Sequence, residues 1–176
     1  AIHMQRIGFE NEESENELIG FEHESNHMTA LLLFDITELE EVRQENVDLK
    51  LVPAIIYIDN YDEIVDKVEI VKKSMLTAVI DRKITAYFQA MDGIVEKIEK
   101  DKYFVAFQYR YLKKLEENRF SLLEEVKSIH MGNDSDVTLS IGVGVGAQTY
   151  TESLEFASAA INIALGRGGS QAVIKD

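Results

Sequence analysis

Asp59-Asn60-Tyr61-Asp62-Glu63 places three carboxylates directly behind the apolar run Leu51 to Ile58. Carboxylates at the C-terminal end of a strand are well placed for Mg²⁺ and, through it, nucleotide phosphates, because hard cations take oxygen ligands. The same run also reads as an ordinary acidic turn at the positive end of the next helix. Gly142-Val143-Gly144-Val145-Gly146 resembles a phosphate-cradling glycine loop. It lies inside a strand pattern, and no Lys-Ser/Thr pair follows to open a helix. Its glycines read better as small residues that let a helix pack closely on a strand. Gly166-Arg167-Gly168-Gly169 combines backbone donors with one cation, as an anion site would, and reads better as a helix C-cap followed by a turn. The four histidines, His3, His23, His27 and His130, are scattered. His23 and His27 fall in a strand-and-turn segment, where i, i+4 spacing does not make a metal pair. There is no Ser-His-Asp spacing and no nucleophile elbow. Residue chemistry alone does not make this chain an enzyme.

The whole chain narrows the classes further. Its 176 residues hold no cysteine, which excludes disulfides, thiolate metal sites and Cys nucleophiles. A net charge of −14 without a basic cluster argues against nucleic acid and anionic lipid as partners. No apolar run approaches membrane-spanning length. The acidity is uneven: Ala1 to Asp48 carries 13 acidic and 2 basic residues, the remainder 19 and 16. That step predicts two units with a junction near residue 48. Ala1-Ile2-His3-Met4 has the pattern of a cloning scar, so residues 1–3 are set aside from the fold, and the chain would be a piece of a longer protein.

The elements that must position these residues follow from periodicity. In the acidic unit, Ile7 to Phe9, Leu18 to Phe21 and Thr29 to Phe34 are apolar patches of strand type. Thr37 with Glu40 forms a capping-box pattern, and Leu39, Val42, Asn46 and Leu49 then recur at 3-4-3 spacing. This predicts a short coiled-coil seam joining a homodimer, with Asn46 at an a-type position, or else a helix lying on its own domain. Leu51 to Ile58 predicts a central strand. Ile64, Val68, Val71, Met75 and Val79, continued by Ile84, Tyr87, Phe88 and Met91, predict one long helix or two abutting ones. Ile94 to Ile98 and Tyr103 to Phe107 form a hairpin around Glu99-Lys100-Asp101-Lys102. A helix from Tyr111 to Ile129, a strand over Val137 to Val145, a helix capped by Thr151 and ending at Gly166, and a strand over Gln171 to Lys175 complete the order β-α-α-β-β-α-β-α-β. The predicted class is α/β (α+β), a ferredoxin-like or palm mixed sheet with helices on one face.

That order, with Ser140-Ile141-Gly142-Val143, resembles the GGDEF domain of diguanylate cyclases. Three runs resemble more closely the degenerate GGDEF domain of the membrane-bound cyclic-di-AMP phosphodiesterases of the GdpP (YybT) family. They are Tyr57-Ile58-Asp59-Asn60-Tyr61-Asp62-Glu63, Thr138-Leu139-Ser140-Ile141-Gly142-Val143-Gly144, and Ala164-Leu165-Gly166-Arg167-Gly168-Gly169 with Gln171. Upstream, Leu33-Phe34-Asp35-Ile36-Thr37 resembles the last strand of a PAS domain running into a signalling helix. The resemblance implies the end of a PAS domain at 4–36, a linker helix at 37–50 and a degenerate GGDEF domain at 51–176. The longer protein would carry two membrane helices before the PAS domain and a DHH/DHHA1 phosphodiesterase module after the GGDEF domain, with these residues on its cytoplasmic side. The Mn²⁺ of that module and the haem of the PAS domain would lie outside this chain, which has no Asp-His-His triplet.

Laid on the family's Asp-x-Asp-x-Phe-Lys pattern, Tyr57 takes the place of the first Asp, a metal ligand, and Asp59 that of the second Asp. The signature turn falls on Glu99-Lys100-Asp101-Lys102-Tyr103, so Lys102 replaces the metal-binding Glu, and Val65 stands where a guanine-contacting Asn is expected. The resemblance therefore implies no diguanylate cyclase activity, no metal held by this chain, and no phosphodiesterase activity of its own. It also implies weak ATP hydrolysis or Mg²⁺-ATP binding, for which Asp59, Asp62, Asp101 and Arg167 are the candidates. The expected role is regulatory: relaying a PAS signal to the phosphodiesterase module. The alternatives are a stand-alone nucleotide-sensing effector and a dimerising domain without ligand.

Overall fold

The computed structural model describes residues 2–8, 27–33, 35–130 and 135–176. The chain divides into two units, Ala1–Glu45 and Asn46–Asp176. In the first, β1 (Ile2–Gly8) pairs antiparallel with β2 (His27–Leu33), with Ile2 opposite Leu33. β1 thus takes in Ile2 and His3, which the sequence reading set aside. Phe9, the patch Leu18 to Phe21, His23 and Phe34 lie outside the described residues. α1 (Thr37–Asp48) follows. At its start the Asp35 carboxylate accepts from both the backbone N–H and the hydroxyl of Thr37, so Asp35 does the capping that Thr37 was expected to do.

The second unit is a five-stranded sheet of order β4-β5-β3-β6-β7. β3 (Leu51–Ile58) is central and antiparallel to both β5 (Lys102–Gln108) and β6 (Leu139–Gly144). β4 (Ile94–Lys97) and β5 form the expected hairpin, and β7 (Ala172–Lys175) runs parallel to β6. Pro53 is tolerated in a central strand because pairing with β6 reaches only to Ala54.

Helices cover both faces of the sheet, not one as expected. On one face Ile56, Ile58, Tyr103, Val105, Phe107 and Ile141 pack against Leu76, Ile80, Ile84 and Phe88 of α3 (Ile70–Gln89) and Leu122 and Val126 of α5 (Leu122–Lys127). On the other face Ile55 meets Ala157, Ile161 and Ala164 of α6 (Tyr150–Gly166), the crossover that a parallel β6–β7 pair requires. The glycines of β6 permit this approach. A Cβ on Gly142 would lie 2.3 Å from the Ile161 nitrogen, and one on Gly144 1.8 Å from the Ser153 carbonyl oxygen.

Three helix expectations change. The stretch after β3 is the second of the two expected forms, two helices, α2 (Tyr61–Asp66) and α3 joined through Val68, and what changes is the buried stripe. The break resets the helical phase, so Leu76, Ile80, Ile84 and Phe88 are buried while Val71, Met75 and Val79 of the expected stripe stay exposed. The helix expected over Tyr111 to Ile129 is a 3₁₀ turn at Tyr109–Tyr111, α4 (Leu112–Glu117) and α5. Arg119 and Phe120 stop it with positive φ at non-glycine residues, and Phe120 is buried there. The cap of α6 is Thr149, not Thr151: its hydroxyl accepts from the Glu152 N–H while the Glu152 carboxylate accepts from the Thr149 N–H.

Candidate functional site

The C-terminal end of β3 and the turn between β4 and β5 bring the predicted residues together. Tyr57 and Lys102 are register partners across β3–β5, so their side chains rise on the same face. The Lys102 ammonium lies 5.3 Å from the centre of the Tyr57 ring, a cation–π contact, with the Glu99 carboxylate 3.9 Å away. An aromatic ring and a fixed ammonium therefore occupy two facing positions, and neither offers an anionic oxygen to a divalent cation. The residues present do not fit a catalytic metal there. Among the described residues no group of three or more His, Cys, Asp or Glu side chains is placed to hold a metal ion.

The nearby carboxylates have internal partners. Asp59 is drawn inward: its Oδ2 accepts from the Ser170 N–H at 2.8 Å, and its Oδ1 is buried without a hydrogen-bond partner. The chain reaches Asp59 because of Gly169, whose φ is +75° and whose Cβ, if present, would lie 2.8 Å from the Asp59 carboxyl carbon. The Gln171 side chain donates at 3.1 Å to the Ala164 carbonyl near the end of α6, which also accepts from the Gly169 N–H at 3.0 Å. The run from Ala164 to Gln171 thus ties the end of α6 to the end of β3, with Arg167 as the exposed C-cap.

Asp62 accepts from Lys100 at 2.5 and 2.7 Å, and this hydrogen bond holds the Lys100 ammonium above the usual lysine range. The Asp101 carbonyl takes the Ile58 N–H at 2.8 Å, which extends the β3–β5 ladder into the turn. Asn60 bonds Thr138 and Asp136, anchoring the same end of β3 to the chain leading into β6. Val65 is buried.

Sequence reasoning missed one cluster. The Tyr103 hydroxyl donates to Asp81 of α3, and Lys97 of β4 donates to the same carboxylate at 2.9 and 3.2 Å. No spacing rule joins residues 16 and 22 positions apart; only the sheet and α3 bring them together.

The predicted seam is divided by the structure. Leu39, Val42 and Asn46 lie on α1, whereas Leu49 falls in the turn after it. Leu39, Val42 and Leu49 are all exposed, at 61%, 55% and 46%.

The sheet, its helices and the β4–β5 turn define a GGDEF-type domain. The fold matches the active GGEEF domain of a diguanylate cyclase from Vibrio cholerae with a TM-score of 0.62, at 12% identity over 78% of this chain and 90% of that one. Residues 56–176 match the family described as cyclic-di-AMP phosphodiesterase GdpP-like, GGDEF domain, and the chain belongs to that family. It is 32% identical over 149 residues to the cyclic-di-AMP phosphodiesterase GdpP of Geobacillus thermodenitrificans, covering 85% of this chain and 23% of that protein. It is 30% identical to the cyclic-di-AMP phosphodiesterase PdeA of Listeria monocytogenes, covering 82% and 22%. The chain thus spans less than a quarter of the length of these relatives. No helix among the described residues is long and apolar enough to cross a membrane.

Proposed function

We propose that this is a regulatory, non-cyclase GGDEF domain of a cyclic-di-AMP phosphodiesterase, on the cytoplasmic side of a membrane-bound protein. It acts as a homodimer, with α1 relaying the state of a preceding PAS domain to a phosphodiesterase module elsewhere in the longer protein. The observation that carries this reading is the Tyr57–Lys102 pair. Joining two GTP molecules requires carboxylate-held metal to neutralise the triphosphate and activate the attacking hydroxyl. An ammonium fixed on a ring supplies neither function and repels a cation. Incubation with GTP and Mg²⁺ or Mn²⁺, followed by mass spectrometry, should yield no cyclic-di-GMP, and cyclic-di-AMP with Mn²⁺ should remain intact. Formation of either product would refute the reading.

A second reading keeps nucleotide sensing, with Mg²⁺-ATP as the ligand. Arg167 favours it, being exposed with no acid against it among the described residues. Against it, Asp59 and Asp62 must leave Ser170 and Lys100 before they can meet a cation. Calorimetric titration of ATP with and without Mg²⁺ separates the two readings: heat that disappears in Arg167→Ala supports the second, and its absence the first.

A further inference from the structure

Two helices carry exposed apolar stripes, and their charges are opposite. On α3, Val71, Met75, Ala78, Val79 and Ala86 line one exposed face, with Val71 at 74%, Met75 at 53% and Val79 at 37% exposure. Around them stand Lys72, Lys73, Arg82 and Lys83 in a chain of net charge −14, with Lys72 3.4 Å from Glu69, Lys73 3.9 Å from Asp66 and Lys83 3.1 Å from Glu125. The only acid of α3, Asp81, is held by Lys97 and Tyr103. Arg82 is exposed and has no acid against it among the described residues. At the C-terminal half of this face is a hollow of about 440 Å³ lined by Val79, Arg82, Lys83, Ala86, Tyr87 and Glu125. On α1 no residue is buried, and Leu39 and Val42 stand among Glu38, Glu40, Glu41, Glu45 and Asp48, with Arg43 as the one base.

We propose that α3 is a docking surface for α1 of a second copy of this chain. The inference rests on the self-association in the proposed function and names the surface that carries it. A second α1 is a poor match for the first: β2 and β3 confine the helix to 12 residues, whereas a coiled coil takes about three to four heptads. Pairing two such helices also sets acid beside acid. α3 offers 20 residues, a ready hollow and, at Arg82, a cation with no acid against it among the described residues. The stripes match in length at 1.5 Å per residue, roughly 10 Å from Leu39 to Asn46 and roughly 12 Å from Val71 to Val79. Each copy has one α1 and one α3, so a two-fold dimer makes the contact twice and closes on itself.

The absence of cysteine makes the test direct. Protein carrying Leu39→Cys is mixed with tagged protein carrying Met75→Cys and mildly oxidised. The mixed disulfide should exceed either self-linked species by about threefold or more. A dominant self-linked Leu39→Cys product overturns the docking surface while leaving a dimer joined through α1. A monomeric sedimentation mass without any cross-link overturns both the docking surface and the dimer. Efficient closure within one chain of the double variant Leu39→Cys/Met75→Cys at high dilution overturns the assignment to a second copy. As an independent measurement, Arg82→Glu should weaken association about tenfold without changing the melting curve, since the side chain is exposed and no acid stands against it among the described residues. Unchanged association would overturn the charge match.

Discussion

Tyr103 is 1% exposed, and its hydroxyl reaches only as far as Asp81, which Lys97 also holds from 2.9 Å. The same ammonium lies 5.2 Å from the Tyr103 ring. Burial first, and the Asp81 carboxylate second, push the phenol far above its ordinary range. A group that keeps its proton more tightly when folded adds stability in full below the unfolded pKa, and that stability is lost as pH rises past it. The window for an unperturbed tyrosine opens near about pH 10. Urea midpoints measured from about pH 9 to about pH 11 should therefore fall more steeply for the natural protein than for Tyr103→Phe. At neutral pH the same substitution should cost about 1–2 kcal/mol, because it leaves the Asp81 carboxylate with one partner fewer. Equal slopes for the two proteins would show that the phenol titrates no differently when folded.

The elements of the second unit were legible wherever one segment sets its own pattern. Leu51 to Ile58 is apolar because β3 is flanked by strands on both sides and covered on both faces, and Gly142 and Gly144 mark where α6 lies close. Legibility failed where tertiary packing chose between two equivalent patterns. Val71, Met75 and Val79 are as periodic as Leu76, Ile80 and Ile84, and only the break after Asp66 decides which set faces the sheet. The stop at Arg119 and Phe120 carries no glycine to announce it, since the burial of Phe120 enforces the turn. The start of α6 failed more narrowly, because Thr149 and Thr151 are both acceptable caps and only Thr149 has Glu at the third helical position. Thr149→Ala should thus cost about 1 kcal/mol, while Thr151→Ala, on the exposed first turn, should change stability by less than about 0.5 kcal/mol. Chemical denaturation of the two variants side by side reads the difference, and equal losses would count against the capping box.

For the second unit as a whole, the place of the site was legible and its internal wiring was not. The sequence put Tyr57, Asp59, Asp62, Asp101 and Lys102 near one end of the sheet, and pairing across β3–β5 brings Tyr57 opposite Lys102. Composition could not say that Ser170 and Lys100 would engage Asp59 and Asp62, because those bonds span 111 and 38 residues. A site in which a ring faces an ammonium should be indifferent to divalent cations, so the melting temperature should not move with added Mg²⁺ or Mn²⁺. The facing register gives a means of reversing that state. Tyr57→Asp with Lys102→Glu removes the cation–π pair and puts two carboxylates on adjacent strands, where directly opposite Cβ atoms stand about 4.5–5.5 Å apart. Two like charges at that separation repel, so the variant should melt lower than the natural protein without metal. A divalent cation shared between them relieves the repulsion, so Mn²⁺ should raise the melting temperature of the variant alone, by the mass-action stabilisation of a folded-state ligand. The variant should still form no cyclic-di-GMP, since Glu99 and Lys100 keep their side chains in the turn and Lys100 remains tied to Asp62. Equal responses of the two proteins to Mn²⁺ would mean that Tyr57 and Lys102 do not face a common cation position.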